Sequence, residues 1–248
     1  MNKRGIIDCI FFSIEFILYY LIFNVAGMYE RDVCYLSIIV VFLYGLTFIP
    51  NIKKDKRTIF MMMGLAATLI ADFFLVLIYK YREIAMISFS VTQIAYALVL
   101  LETSRNVKIE TIIRGAGSVL TLIVTVLVLK ESVDLLSLVS MFYYFNLIMN
   151  SVMSFINKTP LSFKLGLILF ICCDTVIGLQ TLSEYLTISS ESYMYKIIYP
   201  GFNLAWVFYL PSQVLLAYSI NSYLPQRVKY NVKIKKANVE LVEEITKE

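Results

Sequence analysis

The apolar residues of this chain fall into long blocks that short charged segments separate. Because a helix of about 20 apolar residues crosses the hydrocarbon core of a bilayer, each block predicts a membrane-spanning helix. Eight spans are predicted, at residues 6–27, 33–50, 58–79, 83–101, 111–129, 134–156, 164–185 and 201–220. Charged residues make up only 16% of the chain, whereas a soluble domain carries roughly 25%. The fold class is therefore predicted to be an all-α polytopic membrane protein.

The distribution of positive charge predicts the orientation of these spans. An even number of helices joined by short connections places both termini on the same side of the membrane. Of the 22 Lys and Arg residues, 17 lie on that side and five on the other. Since Lys and Arg accumulate in cytoplasmic segments, both termini are predicted to be cytoplasmic, in a cell-membrane protein. Residues 1–223 then form one eight-helix transmembrane domain, and residues 224–248 form a charged cytoplasmic tail.

The composition also argues against several classes of function. The chain contains no histidine, and its four cysteines lie in or beside apolar segments without a C-x-x-C spacing. A zinc site and a catalytic imidazole are therefore not expected, and we predict no metal and no other cofactor. The net charge of +4 follows the membrane topology, so no nucleic-acid partner is predicted. The lipid bilayer is the expected surrounding, and the sequence does not determine an oligomeric state.

Two of the apolar helices share one pattern with a carboxylate near the centre. The stretches are GLAATLIADFFLVL and, 102 residues later, GLILFICCDTVIGL. The matching positions are Gly64, Leu65, Asp72 and Leu77 in the first and Gly166, Leu167, Asp174 and Leu179 in the second. The helix after each stretch carries a glutamine, Gln93 or Gln213. The pattern indicates a parallel repeat of four plus four helices.

Asp72 and Asp174 are the strongest candidates for chemistry. An ionised Asp at the centre of a spanning helix costs roughly 2.5–3.5 kcal/mol, so each is expected to face the protein interior and to have a partner. No Lys or Arg is expected at the same depth to neutralise them. We predict that the two carboxyl groups face a shared cavity and hold one proton between them, which supplies an acid and a base. The alternative is a pair of structural, hydrogen-bonded carboxylates.

Further polar and aromatic side chains are predicted near the same depth. The candidates to orient a substrate or a water molecule are Gln93, Tyr96, Asn146, Asn150, Tyr209 and Gln213. Single Asn and Gln residues in spanning helices also serve simply to hold helices together, which is the alternative for each. Glu15 fits a structural and a site-lining role equally well. Asp8, near a helix end, is expected to extend towards the membrane surface.

The two aspartate stretches, together with FSVTQIAYALVL and VFYLPSQVLLAYSI, resemble in this order the YhhN family of integral membrane proteins, which includes lysoplasmalogenases. The resemblance covers roughly residues 33–220 and implies eight spans. It places Asp72 and Asp174 on the acidic pair of the family and Gln213 on the glutamine of its last span. Gln93 stands where a histidine is common, and Ala71 and Cys173 stand where Gly and Ser are usual.

The resemblance implies an enzyme that hydrolyses the vinyl ether bond of lysoplasmalogen-type lysophospholipids and releases a fatty aldehyde. Under this expectation one of Asp72 and Asp174 is the acid and the other the base, and the assignment between them stays open. A glutamine cannot transfer protons as a histidine does, so Gln93 is not expected to act as an acid or a base. Two alternatives remain: a proton-coupled transporter of a small or lipidic substrate, and a lipid-binding or sensor module.

Overall fold

The computed structural model describes residues 3–25, 27–50, 55–183, 192, 195–196 and 199–223. In this part of the chain eight long helices form and no strand is present. They are α1 (Lys3–Asn24), α2 (Glu30–Leu46), α3 (Lys56–Asp72), α4 (Arg82–Leu101), α5 (Val107–Leu129), α6 (Leu135–Ile156), α7 (Leu161–Ser183) and α8 (Leu204–Tyr223). The predicted all-α fold is confirmed. Every helix begins and ends within four residues of its predicted span, except that α3 ends at Asp72, seven residues before the predicted end, and continues as a π-helix to Ile78. The predicted tail at residues 224–248 lies outside the described residues.

Six of the helices are long and apolar enough to cross a membrane, namely α1 and α3 to α7. The helix α2 is shorter, with 17 residues. The helix α8 contains Pro211 and several polar residues, and 12 of its 20 residues are buried. Because neighbouring helices enclose most of α8, little of its surface faces lipid, and the helix does not need to be apolar on every side. The chain is a multi-pass membrane protein.

The helix pairing follows the predicted repeat. The most extensive interfaces join α3 to α4 and α7 to α8, which are equivalent pairs in the two halves. In each pair the motif glycine permits the close approach. A Cβ atom on Gly64 would lie 2.6 Å from the ring of Tyr96 in α4, and one on Gly166 would lie 2.7 Å from Cγ of Leu216 in α8. The two aspartate helices therefore occupy equivalent positions in the bundle.

Contacts between α1 and α8 bring both ends of the described chain to one end of the bundle, which we call the terminal end. The side-chain amide of Asn221 donates a hydrogen bond to Asp8 over 3.0 Å. Asp8 also pairs with Arg4 at 3.1 Å and accepts a hydrogen bond from Tyr44 at 2.8 Å. Three neighbouring side chains thus hold the partly exposed Asp8 carboxylate at the terminal end. That Asp8 extends towards the membrane surface stays a prediction.

The helix that carries Asp72 begins with an N-terminal cap at the terminal end. The Asp55 carboxylate accepts a hydrogen bond from the main-chain N–H of Arg57 at 2.9 Å, and it pairs with the Arg57 guanidinium at 2.5 Å. Partial burial acts to raise the pKa of Asp55, but the hydrogen bonds and positive charge of Arg57 outweigh it and hold the pKa below its ordinary value. The cap fixes the start of α3.

Candidate active site

Asp72 lies at the end of α3 and is bound by a tyrosine from α8. The hydroxyl of Tyr209 donates a hydrogen bond to Oδ2 of Asp72 over 2.5 Å, and both side chains are buried. Hydrogen bonds to an ionised acceptor are short and strong. Tyr209 was predicted from the sequence as a candidate. The structure therefore brings two of the predicted residues, from opposite halves of the chain, into direct contact.

Asp174 in α7 is bound in the same way by a tyrosine from α6. The hydroxyl of Tyr143 donates a hydrogen bond to Oδ2 of Asp174, and the Tyr143 side chain is buried. Sequence reasoning missed Tyr143. A signal for it existed, because Tyr143 precedes Asn146 by three residues and Asn150 by seven, which places all three on one face of α6.

The two aspartate–tyrosine pairs meet at one aromatic cluster. The Phe89 ring lies 5.7 Å from the ring of Tyr143 and 6.5 Å from that of Tyr209. The Phe170 ring lies 6.3 Å and 5.5 Å from the same two rings. The two aspartate–tyrosine pairs thus border one cluster, in which aromatic rings pack together. That the two carboxyl groups face a shared cavity and hold one proton between them stays a prediction.

The backbone changes its winding directly after Asp72. Residues Phe73–Ile78 form a π-helix, and Tyr79 and Tyr81 beyond it adopt left-handed backbone conformations with φ of 55° and 58°. A π-helical segment inside a helix is rare and often marks a functional site. The wider turn sets the direction in which α3 continues beyond the aspartate.

No cation neutralises the two aspartates within the part of the chain that the structure describes. The ion pairs found there are Arg4–Asp8, Arg57–Asp55 and Arg114–Glu110. The partners of Asp72 and Asp174 are neutral phenols instead. Because a buried negative charge without a cation is costly, this arrangement favours a proton on one of the two carboxyl groups.

A second buried polar cluster lies nearer the terminal end and contains an arginine. Arg114 in α5 is only 7% exposed. Its Nη2 and Nε atoms donate to Oε1 of Glu110 at 2.9 Å and 3.1 Å, and Asn157 donates to Oε2 of the same carboxylate at 3.2 Å. A buried arginine was not predicted, and it neutralises Glu110 rather than Asp72 or Asp174. Glu110 and Arg114 are four residues apart on one helix face, a spacing that indicates an ion pair.

The predicted amides of α4 and α6 join this second cluster. Asn150 accepts a hydrogen bond from Arg114 at 2.8 Å and donates one to the Gln93 side chain at 3.0 Å. Asn146 donates to the main-chain carbonyl of Phe142 in its own helix, at 2.9 Å. The structure therefore unites Gln93 and Asn150, whereas Asn146 mainly bonds its own helix.

The remaining candidates, and Glu15, are also buried. The Tyr96 ring packs edge-on against Phe163 at 5.8 Å, and its buried hydroxyl forms no hydrogen bond within the described residues. Gln213 is fully buried, and neither atom of its amide forms a hydrogen bond within the described residues. The same holds for the carboxylate of Glu15, which is 4% exposed. None of the three bonds directly to an aspartate of the site.

A pocket of about 680 Å³ lies beside the site between α4, α5 and α6. Its lining is apolar apart from Ser90 and consists of Ile87, Ser90, Val91, Ile94, Leu122, Ile123, Val126, Leu127, Leu138, Val139 and Phe142. Ser90 follows Phe89, and Phe142 precedes Tyr143. The pocket therefore borders helices that also carry residues of the aromatic cluster, and neither aspartate lines it.

Comparison of the chain with curated proteins and with solved structures finds no match. The sequence model of the YhhN family matches residues 32–220. The match runs from α2 to α8 and includes both aspartates and both of their tyrosine partners, whereas α1 with Glu15 lies outside it. It confirms the resemblance seen in the sequence. On this match, which covers well over half of its length, the chain belongs to the YhhN family of membrane proteins.

Proposed function

We propose that this protein is a membrane-embedded hydrolase that cleaves the vinyl ether bond of lysoplasmalogen-type lysophospholipids and releases a fatty aldehyde. The observation that carries the proposal is the pair of aspartates in the bundle, of which Asp72 is buried and Asp174 is half-buried. Asp72 and Asp174 lie in spanning helices, each bonds one tyrosine hydroxyl, and both pairs border one aromatic cluster. Membership of a family that includes lysoplasmalogenases supports the same reaction.

The chemistry of a vinyl ether suits two carboxyl groups of opposite protonation. A protonated carboxyl transfers its proton to the β-carbon of the double bond, which leaves an oxocarbenium ion. The ionised carboxylate stabilises this cation and takes a proton from the attacking water, so that a hemiacetal forms. Collapse of the hemiacetal yields the aldehyde and a glycerophospho-ethanolamine or -choline. One water molecule is consumed, and the proton passes from the base back to the acid. Either aspartate fits either role.

The aromatic cluster supports the same step. The faces of Phe89 and Phe170 carry partial negative charge, which favours a cation beside them. Their rings also exclude bulk water, so that the charged transition state interacts with fixed groups in a medium of low dielectric constant. Tyr143 and Tyr209 orient the two carboxyl groups by their hydrogen bonds.

The decisive experiment measures aldehyde release by the purified protein in detergent, with mass spectrometry of the products from a panel of ester- and vinyl-ether-linked lysolipids. Asp72→Asn and Asp174→Asn are each expected to lower the rate by about 10²- to 10⁴-fold, the usual contribution of a general acid or base. Asp32→Asn, at an exposed position in α2, is the matched control and should leave the rate unchanged. Near-normal aldehyde release by either site variant would contradict the proposal.

The repeated helix pairing favours one other candidate, a proton-coupled transporter, since many carriers consist of such repeats with acidic groups at mid-depth. The two functions differ in what they require. A hydrolase turns over in detergent without a gradient and generates a new product. A carrier shows uptake into vesicles that depends on a pH gradient and leaves the lipid chemically unchanged.

A further inference from the structure

A line of hydrogen bonds crosses the bundle interior from α5 through α6 to α4. Nη1 of Arg114 donates to Oδ1 of Asn150 at 2.8 Å. Nδ2 of Asn150 donates to the main-chain carbonyl of Gln93 at 2.8 Å and to Oε1 of the Gln93 side chain at 3.0 Å. Asn150 and Gln93 are completely buried, and Arg114 is nearly so. The three residues form a relay that begins at a fixed positive charge.

The direction of this relay follows from the chemistry of its ends. A guanidinium has only donors, so the Asn150 atom that faces Arg114 is the amide oxygen. A main-chain carbonyl only accepts, so the Asn150 atom that faces Gln93 is the amide nitrogen. Both ends thus require the same orientation of the Asn150 amide. Gln93 must then present its oxygen to Asn150, and its Nε2 group is the free end.

The free end has no partner in the protein. Nε2 of Gln93 is buried and forms no hydrogen bond with any residue that the structure describes. Leaving a buried donor unsatisfied is costly, and native proteins rarely do so without a ligand or a water molecule to complete the bond. The relay therefore delivers a donor group, N–H, to a place where the protein supplies no acceptor.

This donor lies next to the aspartate site. Gln93 follows Phe89 by four residues, so it lies on the same face of α4 and about 6 Å further along the helix axis. The Phe89 ring contacts the tyrosines that bind Asp72 and Asp174. A ligand that reaches the two carboxyl groups and extends one helical turn towards the terminal end meets the Gln93 amide.

We infer that Nε2 of Gln93 binds an uncharged oxygen acceptor of the ligand, and that Arg114 is a positioning residue that sets this donor through Asn150 without touching the ligand. An anionic acceptor would add negative charge beside Asp72 and Asp174, where no cation is present among the described residues. A hydroxyl oxygen fits better. In the lysolipid of the proposed function, on which the identity of the ligand rests, this is the free hydroxyl of the glycerol backbone.

The test compares two lipids that the enzyme cannot hydrolyse: a 1-O-alkyl lysophospholipid and its analogue with hydrogen in place of the glycerol hydroxyl. Binding to the full-length protein in detergent is measured by calorimetry. The wild-type protein should prefer the hydroxyl compound by roughly 5- to 100-fold, because the analogue leaves the buried donor unsatisfied. Equal binding of the two lipids, or binding of neither, would overturn the inference and would indicate that water alone occupies the donor.

Variants distinguish a role in orienting the Gln93 amide from a role in the stability of the protein. Gln93→Leu removes the donor and should abolish the preference. Asn150→Asp presents an oxygen to Gln93, so the side-chain amide of Gln93 should turn and direct its own oxygen towards the ligand. The ratio of the affinities for the hydroxyl lipid and its analogue should then fall to about 1 or invert. Glu110→Gln, the control, weakens the neighbouring ion pair but leaves Arg114 as a donor, so the preference should persist. Loss of the preference in Glu110→Gln to the same degree as in Asn150→Asp would show a merely structural effect and contradict the inference.

Two substitutions test Arg114 itself. Arg114→Lys keeps a donor-only group and should retain most of the preference, whereas Arg114→Met should lose it. An unchanged preference in Arg114→Met would contradict the positioning role. Because the probe lipids are not hydrolysed, the binding test can contradict this inference without contradicting the proposed reaction, and the reverse also holds. A protein that prefers the hydroxyl lipid but releases no aldehyde would disprove the hydrolase alone.

Discussion

Glu110 and Asp72 are both buried acidic side chains of spanning helices, and they differ in what faces them. Glu110 accepts two hydrogen bonds from Arg114 and one from Asn157, so that its charge is neutralised and both of its oxygens are bonded. Asp72 bonds the neutral hydroxyl of Tyr209, and no cation pairs with it within the described residues. The first acid is saturated by its neighbours and the second is not.

This difference separates scaffold from site. A saturated ion pair has no capacity left for a ligand, and its contribution is to hold α5 against α6. A carboxyl group with one neutral partner can still gain or lose a proton and can still stabilise a cation. Burial alone therefore does not identify the functional acids of this bundle; the charge and number of their partners do.

The largest effect on stability is expected from a substitution that disrupts the ion pair of Glu110. Glu110→Ala leaves the Arg114 guanidinium buried without its counter-charge, which should lower the free energy of unfolding by about 3–5 kcal/mol. Thermal unfolding in detergent measures the loss. Glu131→Ala, at an exposed position after α5, is the control and should change stability little. If Glu110→Ala were as stable as the control, the cluster would not be the structural element described above.

The next effect concerns the tyrosines of the site. Tyr143→Phe removes the hydrogen bond to Asp174 but keeps the ring, and aldehyde release should fall by roughly 10- to 100-fold, since a hydrogen bond to a charged group contributes about 1.5–3 kcal/mol. Tyr144→Phe is the matched control. Its hydroxyl contacts Thr175 at an exposed place, so the rate should not change. Equal rates of aldehyde release in the two variants would show that Tyr143 has no role in the site.

A smaller effect is expected at an ion pair nearer the surface. Asp55→Asn keeps a good helix cap but removes the charge that pairs with Arg57, and it should cost about 0.2–1 kcal/mol at neutral pH. Because the folded-state pKa of Asp55 is lowered, this stabilisation is complete above its unfolded pKa of about 4 and disappears as the pH falls through the folded-state pKa.

Unfolding curves of the wild type and Asp55→Asn over a range of acidic pH test this dependence. The two curves should converge at the acid end. A difference that persists unchanged in strong acid would show that the charge of Asp55 is not responsible.

The smallest effect on stability is expected at Asp72, the other acid of the comparison. Asp72→Asn removes a buried charge that has no cation to pair with, so stability should stay within about 1 kcal/mol of the wild type, or rise, while activity is lost. Thermal unfolding of the same purified variant that is assayed for aldehyde release gives both values. A loss of stability as large as that of Glu110→Ala would place Asp72 in the scaffold.

Much of the architecture could be predicted from the sequence alone. Blocks of apolar residues identified all eight helices, because hydrophobicity over a window of this length is a local property of the chain. The positions of Asp72 and Asp174 at mid-depth, and their repeat 102 residues apart, identified the two central acids for the same reason. The match to the YhhN family over residues 32–220 agrees with the range expected from the motifs.

The partners of these acids were decided only by the tertiary structure. That Tyr209 bonds Asp72 and Tyr143 bonds Asp174 depends on how α8 and α6 are rotated against α3 and α7. The periodicity of an almost uniformly apolar helix says little about that rotation. Arg114 lies near the start of the predicted span 111–129, and its charge was counted with those of the cytoplasmic side, so a buried position was not predicted for it. In the folded bundle Glu110 and Asn150 satisfy its donors, and only their convergence from two helices makes a buried arginine stable there.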